Sequence, residues 1–349
     1  MPKLKGLNAT IRRKPKRATK SCHMSNETDR CQCHSSQAEG MSGKILSINI
    51  SDTKGTIKHR VSTAIINQLG IIGDAHAGNW HRQISLLDIA SIIKFQKQFH
   101  RNINYGEFAE NLTIQGIDLS CAAVGDRFRS GKMELEVTQI GKQCRGHKCD
   151  IFKITCDCIM PKKGIFCRVI RSGEITSGDV IEYFPKIWKI LVITLSDRAS
   201  NNEYEDKSGP IAQDILSNFF IAKKWRYQIK SIILPDEAMQ LKEHLQKARI
   251  AKTDLIVTLG STGIGPRDIA PEVIISICDK IIPGIMENIR RKFSTSNINA
   301  TLSRSVAGIV NKTQVYALPG NPRAVAEYLP EILKTLEHII LMLNGLDPH

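Results

Sequence analysis

The second half of the chain alternates between short apolar runs and helical patterns, and this alternation constrains the fold most. Four runs typical of buried strands, KILVITLSD, QIKSIILPD, DLIVTLG and QVYALPG, each precede a stretch with helical character. Repeated strand, loop and helix units predict a mostly parallel sheet covered by helices. We therefore predict an α/β domain over residues 186–349, after the boundary at Pro185.

The preceding segment, residues 41–185, has a different rhythm. Short strand patterns are separated by Ser-Gly turns, and RFRSGKMELEVTQIG has the alternation of a hairpin. One helix is predicted at SLLDIASIIKFQKQFH, from Ser85 to His100. Short strands with glycine punctuation indicate a β-rich, barrel-like domain. A length of 349 residues also favours two domains over one.

Residues 1–40 are polar and form a predicted disordered basic arm. The first 20 residues contain eight Lys or Arg and no acid, so much of the net charge of +15 is local. An electrostatic contact with nucleic acid or an acidic partner is the alternative, although we do not expect nucleic-acid binding to be the main function. A transit peptide has similar composition, which leaves organellar import open beside a cytoplasmic location.

The remaining composition predicts a protein without a membrane span. No uncharged apolar run approaches the roughly 20 residues that a span requires. Ten cysteines without an export signal predict a reducing compartment. Cys22, Cys31 and Cys33, with His23 and His34, could form a metal cluster, but they lack a Cys-x-x-Cys pair and their polar segment indicates disorder, so the metal site is weakly indicated.

The loops after the four α/β strands form the strongest candidate site. In an open parallel sheet, ligands bind at the carboxyl ends of the strands, which would gather Asp197, Asp236 and Asp268 beside the glycine-rich loop TLGSTGIGPRD. Asp236 and Asp268 could each be only a helix N-cap, and the glycines could only permit a turn. Together, however, two acids beside bound phosphates predict Mg²⁺ between them. The P-loop lysine is missing; Arg304 or Arg267 could compensate, with a surface role favoured for Arg267.

The ordered motifs from Lys189 to Leu343 closely resemble the MogA/MoaB-like molybdopterin adenylyltransferases. The resemblance is carried by TLSDRAS, YEDKSGP, LPDE, GSTGIGPRD, IPG, LSRSVAG and LPGNP. It implies a molybdopterin-binding α/β fold, usually trimeric, that transfers AMP from Mg-ATP to the terminal phosphate of molybdopterin. The pterin phosphate would attack the α-phosphate of ATP and release pyrophosphate, without a side-chain nucleophile.

The resemblance also implies roles for individual residues. The two functional aspartates, which would hold Mg²⁺, fall on Asp236 and Asp268. The loops for the pterin phosphate and the nucleotide fall on Ser196, Asp197, Ser208, Gly209, Gly260, Ser261, Thr262, Gly263, Ser303, Arg304, Pro319, Gly320, Asn321 and Pro322. The family's Thr-Thr-Gly-Gly-Thr-Gly run reads TLGSTG here, so Ser261 requires a backbone angle that suits a non-glycine residue.

The first half carries its own candidate residues. His76 and His81 are five apart, which does not fit zinc on one helix face, so hydrogen-bonded structural histidines are favoured, and Arg82 could contact an anion. Five cysteines are dense but fit no standard zinc finger, and each could be inert or a thiolate favoured by basic neighbours: Cys144, Cys149, Cys156, Cys158 and Cys167.

Residues 43–183 resemble a MOSC domain, the module at the carboxyl end of molybdenum cofactor sulfurases. The resemblance is carried by GDAHAGNWHRQISLL, GEFAENLTIQGIDL, VGDRFRSG, GKQCRGHKCDI and DCIMPKKGIFCRV. It implies a β-rich domain that binds the molybdenum cofactor or handles sulfur through a cysteine, with Cys158 the first candidate and Cys144 the second. The pyridoxal-phosphate part of the sulfurases is absent from the sequence, so no pyridoxal phosphate is expected.

Together the two resemblances predict an enzyme of molybdenum cofactor biosynthesis. The α/β domain would adenylylate molybdopterin, and the MOSC domain would add a second activity. The alternative is a non-catalytic scaffold or carrier that binds molybdopterin or the cofactor. Molybdoenzymes or other proteins of cofactor biosynthesis are the expected macromolecular partners.

Overall fold

The strands of the first half close into a barrel in the computed structural model, which describes residues 41–143 and 158–345. Seven strands form a ring in the order β11-β7-β8-β9-β5-β6-β1, because β1 also pairs with β11. β2 extends the sheet beside β1, whereas β10, β3 and β4 form a small separate sheet. The strands are β1 (Met41–Ile50), β2 (His59–Val61), β3 (Thr63–Asn67), β4 (Gly70–Ile71), β5 (Ile84–Asp88), β6 (Leu112–Gln115), β7 (Arg127–Ser130), β8 (Met133–Ile140), β9 (Ile165–Arg171), β10 (Gly173–Thr176) and β11 (Val180–Phe184).

The barrel confirms the β-rich prediction and corrects one boundary. The hairpin read from the sequence is the antiparallel pair β7–β8. The predicted helix starts later than expected: α1 runs over Ile89–Phe99, while residues 84–88 are the buried strand β5, parallel to β6. Asp88 ends the strand and caps α1, because its Oδ1 accepts a hydrogen bond from Ser91 N at 2.6 Å. The short helix α2 (Met160–Lys163) and a 3-10 turn (Leu119–Cys121) complete this half.

The second half is a six-stranded sheet in the order β13-β12-β14-β17-β16-β15. The four strands predicted from the sequence pair in parallel, whereas β16 and β15 are antiparallel additions that the sequence analysis did not foresee. The strands are β12 (Ile187–Leu195), β13 (Arg226–Leu234), β14 (Leu255–Leu259), β15 (Lys280–Ile281), β16 (Val306–Val310) and β17 (Thr313–Leu318). The helices are α3 (Asp197–Ser200), α4 (Ser208–Ala222), α5 (Ala238–Ile250), α6 (Ala270–Ile277), α7 (Pro283–Ser294) and α8 (Pro322–Leu343), with a 3-10 turn at Ile298–Leu302.

Helices cover both faces of this sheet, which explains why its central strands are buried and mostly apolar. All five residues of β14 are buried. On one face, α4, α7 and α8 contribute to a core that includes Leu216, Ile289 and Leu329. On the other face, α5 and α6 pack with Leu241 and Ile274. No helix within residues 41–143 and 158–345 combines the length and apolarity needed to cross a membrane.

A buried aspartate joins the barrel to the α/β sheet. Asp126, whose side chain is fully buried, accepts hydrogen bonds from Ala123 N and Lys186 N, each at 2.7 Å, and from the Tyr183 hydroxyl. Arg226, at the start of β13, lies 3.6 Å from Asp126 Oδ2 and donates to Tyr183 Oη at 3.1 Å. Asp126 therefore connects the barrel, the 185–186 connection and the sheet.

Replacing Asp126 should destabilise both halves together. Asp126→Ala leaves Arg226 and the Tyr183 hydroxyl without their buried acceptor, and we expect a loss of about 3–5 kcal/mol in the free energy of unfolding. Urea denaturation of the full chain would measure it. Glu182→Ala, at an exposed position one residue before Tyr183, is the control and should stay within about 0.5 kcal/mol of wild type. A loss no greater than that of the control would show that Asp126 does not hold this junction.

Candidate functional site

The carboxyl ends of the parallel strands surround a cavity of about 320 Å³. The loop after β12 contributes Ser196 and Asp197, the loop after β13 contributes Asp236, and the loop after β14 contributes Asp268. Parallel pairing brings these loops to one edge, as the sequence predicted. Three acids therefore share one open cavity.

Asp197 and Asp236 are held together by reciprocal contacts with each other's backbone. Asp197 N donates to Asp236 Oδ2 at 3.2 Å, and Asp236 N donates to Asp197 Oδ1 at 2.9 Å. Among the residues that the structure describes, the buried Asp236 Oδ1 has no hydrogen-bond partner. Burial raises the pKa of the Asp236 carboxyl, and the negative charge of Asp197 adds to the rise. A buried carboxylate oxygen of Asp236 thus lies beside the cavity without a hydrogen-bond partner among the described residues.

Arg267 reaches across the cavity to Asp197. Its Nε lies 3.1 Å from Asp197 Oδ2 and its Nη2 lies 2.8 Å from Asp197 Oδ1. These hydrogen bonds lower the pKa of Asp197. The sequence analysis favoured a plain surface role for Arg267, and its side chain is indeed 61% exposed. The pair nevertheless makes it part of the cavity, because exposed arginine can form a two-point contact with a carboxylate.

The glycine-rich loop has a conformation that depends on its small residues. Gly260 has φ +106°, and a Cβ there would lie 2.3 Å from Leu195 O. Ser261 adopts φ +55°, the left-handed angle that its position required. Its hydroxyl donates to Arg267 O at 3.0 Å and accepts from Ile269 N at 2.8 Å. The departure from the family pattern at Ser261 therefore adds a brace across the loop.

Neither Asp236 nor Asp268 is a helix N-cap. The cap position of α5 is Glu237 and that of α6 is Ile269. Asp268 instead turns into the loop, where its Oδ2 accepts from Gly265 N at 2.7 Å. A Cβ at Gly263 would lie 2.7 Å from the same oxygen. The simple capping explanation is therefore wrong for both acids.

Two further predicted residues, Ser208 and Gly320, lie against the glycine-rich loop near Gly260. Ser208 Oγ donates to Gly320 O at 2.5 Å, and a Cβ at Gly320 would come within 3.0 Å of Gly260 Cα. Asp206, which the sequence analysis missed, accepts from Ser208 N at 2.9 Å and Gly209 N at 3.0 Å. The same acid accepts from the Thr194 hydroxyl. Asp206 thereby fixes the start of α4 beside the cavity.

The remaining predicted residues of the α/β half, among them Arg304 and Asn321, have structural roles in the loops around the cavity. Arg304 donates from Nε to Gly263 O at 2.6 Å and from Nη2 to Asp268 O at 2.9 Å, and it pairs with Glu272. It braces the loop backbone in this structure, so it does not stand as an unengaged cation. Four other predicted residues do not line the cavity, because they are a buried threonine, the end of a 3-10 turn, the residue after β17 and the start of α8: Thr262, Ser303, Pro319 and Pro322. Asn321 caps α8 by accepting from Arg323 N at 2.9 Å.

The barrel contains a separate polar cluster. Lys58 and Asp74 form a fully buried ion pair, and Lys58 Nζ lies 3.2 Å from His76 Nδ1. Burial disfavours the charge on Lys58 and lowers its pKa, and the positive charge of Lys142 contributes in the same direction. Lys142 N also donates to Pro161 O at 3.1 Å. This contact connects α2, which follows Cys158, to Lys142, two residues after the end of β8.

The predicted roles of the barrel residues are met only in part. His81 Nε2 lies 3.0 Å from Gln139 Oε1, so both histidines have hydrogen-bonding neighbours, as expected. Cys158 is half-buried beside the apolar cluster of Phe95 and Met160, and Cys167 is fully buried, which raises its thiol pKa. The basic arm and six cysteines lie outside the described residues: Cys22, Cys31, Cys33, Cys144, Cys149 and Cys156.

Each half of the chain matches a known protein family. Residues 191–338 match the family described as a probable molybdopterin binding domain, and residues 73–182 match the MOSC domain. The molybdopterin adenylyltransferase of Helicobacter pylori (strain J99) is 35% identical over 156 residues, which cover 44% of this chain and 86% of that protein. The molybdopterin adenylyltransferase of Escherichia coli (strain K12) is 29% identical over 142 residues, covering 40% and 71%.

A two-activity relative shows the same likeness over part of its length. The molybdenum cofactor biosynthesis bifunctional protein of Synechococcus elongatus is 33% identical over 156 residues, which cover 45% of this chain and 47% of that protein. The similarity therefore covers less than half of either protein. From these similarities, the chain belongs to the molybdopterin adenylyltransferase family through its α/β half, and it carries a MOSC domain ahead of that half.

Proposed function

We propose that the α/β half adenylylates molybdopterin with ATP in the cavity between Asp197, Asp236 and Asp268. The observation that carries the proposal is the meeting of these acids with the Gly260–Gly265 loop at one sheet edge. The relatives named molybdopterin adenylyltransferase support the choice of substrate. An oxygen of the pterin phosphate would attack the α-phosphorus of ATP, and the bond to the departing pyrophosphate would break.

Mg²⁺ fits the donors of this cavity. Among residues 41–143 and 158–345, no three His, Cys, Asp or Glu side chains form a ready metal site. Mg²⁺ is commonly held by one or two carboxylates together with substrate phosphates, and the cavity offers Asp236 and Asp268. The unpartnered Asp236 Oδ1 is suited to this role. When bound, Mg²⁺ would neutralise charge on the phosphates.

The protein's own groups would orient the two polyanions. Backbone N–H groups of a glycine-rich loop between a strand and a helix are suited to phosphates. Ser261 accepts a hydrogen bond from Ile269 N, and Arg304 donates one to Gly263 O. These bonds hold the loop backbone in place, so its N–H donors would be oriented before the substrate binds. Arg267 holds Asp197 in place and brings positive charge to the rim. Because the pterin phosphate would itself supply the attacking oxygen, positioning and charge neutralisation would drive the reaction.

We further propose that the barrel binds the molybdenum cofactor or transfers sulfur through Cys158. The MOSC match and the position of Cys158 support this role. The backbone contact between Lys142 and Pro161 fixes the segment that follows Cys158. Trimeric assembly, a cytoplasmic location and protein partners remain predictions.

Removing the Asp268 carboxylate should abolish adenylyl transfer. Asp268→Asn preserves the size of the side chain but removes its charge, and we expect pyrophosphate release with molybdopterin, Mg²⁺ and ATP to fall at least about 100-fold. Asp279→Asn, outside the cavity, is the control. Turnover at the control's rate would reject the assignment of Asp268. Absence of turnover in the wild type, with pterin binding intact, would favour the scaffold alternative.

The raised pKa of Asp236 predicts a pH dependence of Mg²⁺-ATP binding. The ionised carboxylate is the form that binds the cation, so affinity should fall as the pH drops through a value above the usual Asp range. Asp236→Asn should bind weakly at every pH and lose this transition. Calorimetric titrations across the acidic range would detect it. An unchanged pH profile in Asp236→Asn would remove Asp236 from the metal site.

Replacing Cys158 should affect the barrel function alone. After incubation with molybdenum cofactor and gel filtration, Cys158→Ser should retain several-fold less molybdenum than wild type, measured by mass spectrometry, while pyrophosphate release stays unchanged. Cys121→Ser, at another half-buried cysteine of the barrel, is the matched control. Equal molybdenum retention by the two variants would transfer the role to a different residue, with Cys144 the next to test.

A further inference from the structure

A larger cavity, of about 870 Å³, lies between the barrel and the α/β sheet. Strands β7, β8 and β9 line one side, and the residues that precede β12, β14 and β17 line the other. Since those three strands begin here, the cavity is at the amino edge of the sheet. The three acids of the proposed adenylylation site are at the carboxyl edge. β14 alone, with five residues, separates the two edges by about 16 Å.

The charged residues that line this cavity are mostly positive. Glu136 is already bonded to Arg127 at 3.2 Å and to Arg168 at 2.8 Å. Asp254 accepts from Lys186 Nζ at 2.7 Å. Both acids of the lining are therefore engaged by cations of the same lining. The six basic residues are Arg127, Arg168, Lys186, Arg249, Lys252 and Lys312.

Three of these cations have no carboxylate partner among the residues that the structure describes. Arg249 and Lys252 make no side-chain hydrogen bond or ion pair within the described part of the chain, and Lys312 Nζ reaches only the neutral Asn344 Oδ1 at 2.8 Å. They come from the end of α5, the turn before β14 and the β16–β17 hairpin. Three uncompensated positive charges from separate elements converge on one cavity, which favours an anionic ligand.

An unpartnered indole lies in the same cavity. Trp188 is only 7% exposed, and its Nε1 has no hydrogen-bond acceptor among the described residues. Buried indole N–H groups normally have an acceptor, so an unpartnered donor in a residue that lines the cavity calls for an explanation. The ring is held by stacking on Trp225, with centroids 4.9 Å apart. Apolar lining from Phe184 and Ile340 extends the surface beside it.

We propose that this cavity, which we term the junction cleft, binds a phosphate attached to a flat heteroaromatic ring. The phosphate would lie among Arg249, Lys252 and Lys312, and an acceptor on the ligand would take the Trp188 hydrogen bond. The volume falls within the range of small-molecule sites, whereas an inorganic oxyanion would fill only a small part of it. A nucleotide and a phosphorylated pterin share this chemistry. The proposal does not depend on the adenylyl transfer proposed above.

Calorimetry on the full-length chain would test the junction cleft with three probes: AMP, hydroxymethylpterin monophosphate and inorganic phosphate. The variant combines Arg249→Gln, Lys252→Asn and Lys312→Gln, all at exposed positions. Asparagine suits the φ of +54° at Lys252. In this variant we expect the affinity of the binding site assigned to the junction cleft to fall at least about tenfold for AMP, for the pterin phosphate or for both. Which of these two ligands weakens identifies the source of the phosphate.

A charge-matched control separates the cleft from the net charge of the protein. Lys94→Gln, Lys97→Gln and Lys132→Gln remove three exposed positive charges elsewhere and should leave binding unchanged. Pyrophosphate release in the cleft variant should also be unchanged, so failure of the two proposals can be told apart. Equal weakening in control and variant, or no weakening in either, would overturn the junction cleft. An effect on inorganic phosphate alone would reject recognition of the ring.

Trp188 provides an independent test. Trp188→Phe keeps an aromatic ring but removes the N–H donor, so the affinity of the same class of site should fall several-fold. Trp225→Phe changes the stacked neighbour, which does not line the cleft, and serves as the control. Thermal unfolding would be compared for both variants to account for any loss of packing. Wild-type affinity in folded Trp188→Phe would contradict a hydrogen bond from the indole.

Discussion

Parallel pairing of β13, β12, β14 and β17 is the constraint on which the site depends. Each strand leads into its loop at the same edge, so acids that are far apart in sequence share one cavity. The same pairing requires crossover helices on both faces, and their burial makes the strands apolar. Asp197, Asp236 and Asp268 could not meet if β12, β13 or β14 ran in the opposite direction.

Asp126 fixes the position of the barrel relative to this sheet. Its carboxylate satisfies the backbone of Lys186 just before β12 and faces Arg226 at the start of β13. The barrel is thereby fixed at the amino edge of the sheet, away from the predicted adenylylation cavity. This arrangement leaves the carboxyl edge open and creates the junction cleft at the opposite edge. A buried polar contact of this kind fixes relative position more than it adds net stability.

Sequence patterns predicted the elements better than the contacts of single side chains. The four parallel strands and the β-rich barrel follow from periodicity and turns, which are local properties of the chain. The buried strand Ile84–Asp88 was read as helix because a short apolar run fits both structures. The acids at the sheet edge followed from topology. Asp206, Arg267 and the bracing role of Arg304 did not, because their partners lie 12 or more residues away or are backbone groups.

The two edges of the sheet differ in charge in a way that suits different ligands. At the carboxyl edge, Asp236 and Asp268 would repel a polyanion unless a cation is bound with it, so under the proposed function that cavity would select a metal–phosphate complex. At the amino edge, Arg249, Lys252 and Lys312 lack carboxylate partners within residues 41–143 and 158–345 and, as proposed, would accept an anion directly. A phosphorylated ligand without metal would therefore favour the junction cleft, whereas a metal triphosphate would favour the acids. If both sites bind as proposed, one sheet would keep two phosphate ligands apart, with the three acids at one end of its strands and the three cations at the other.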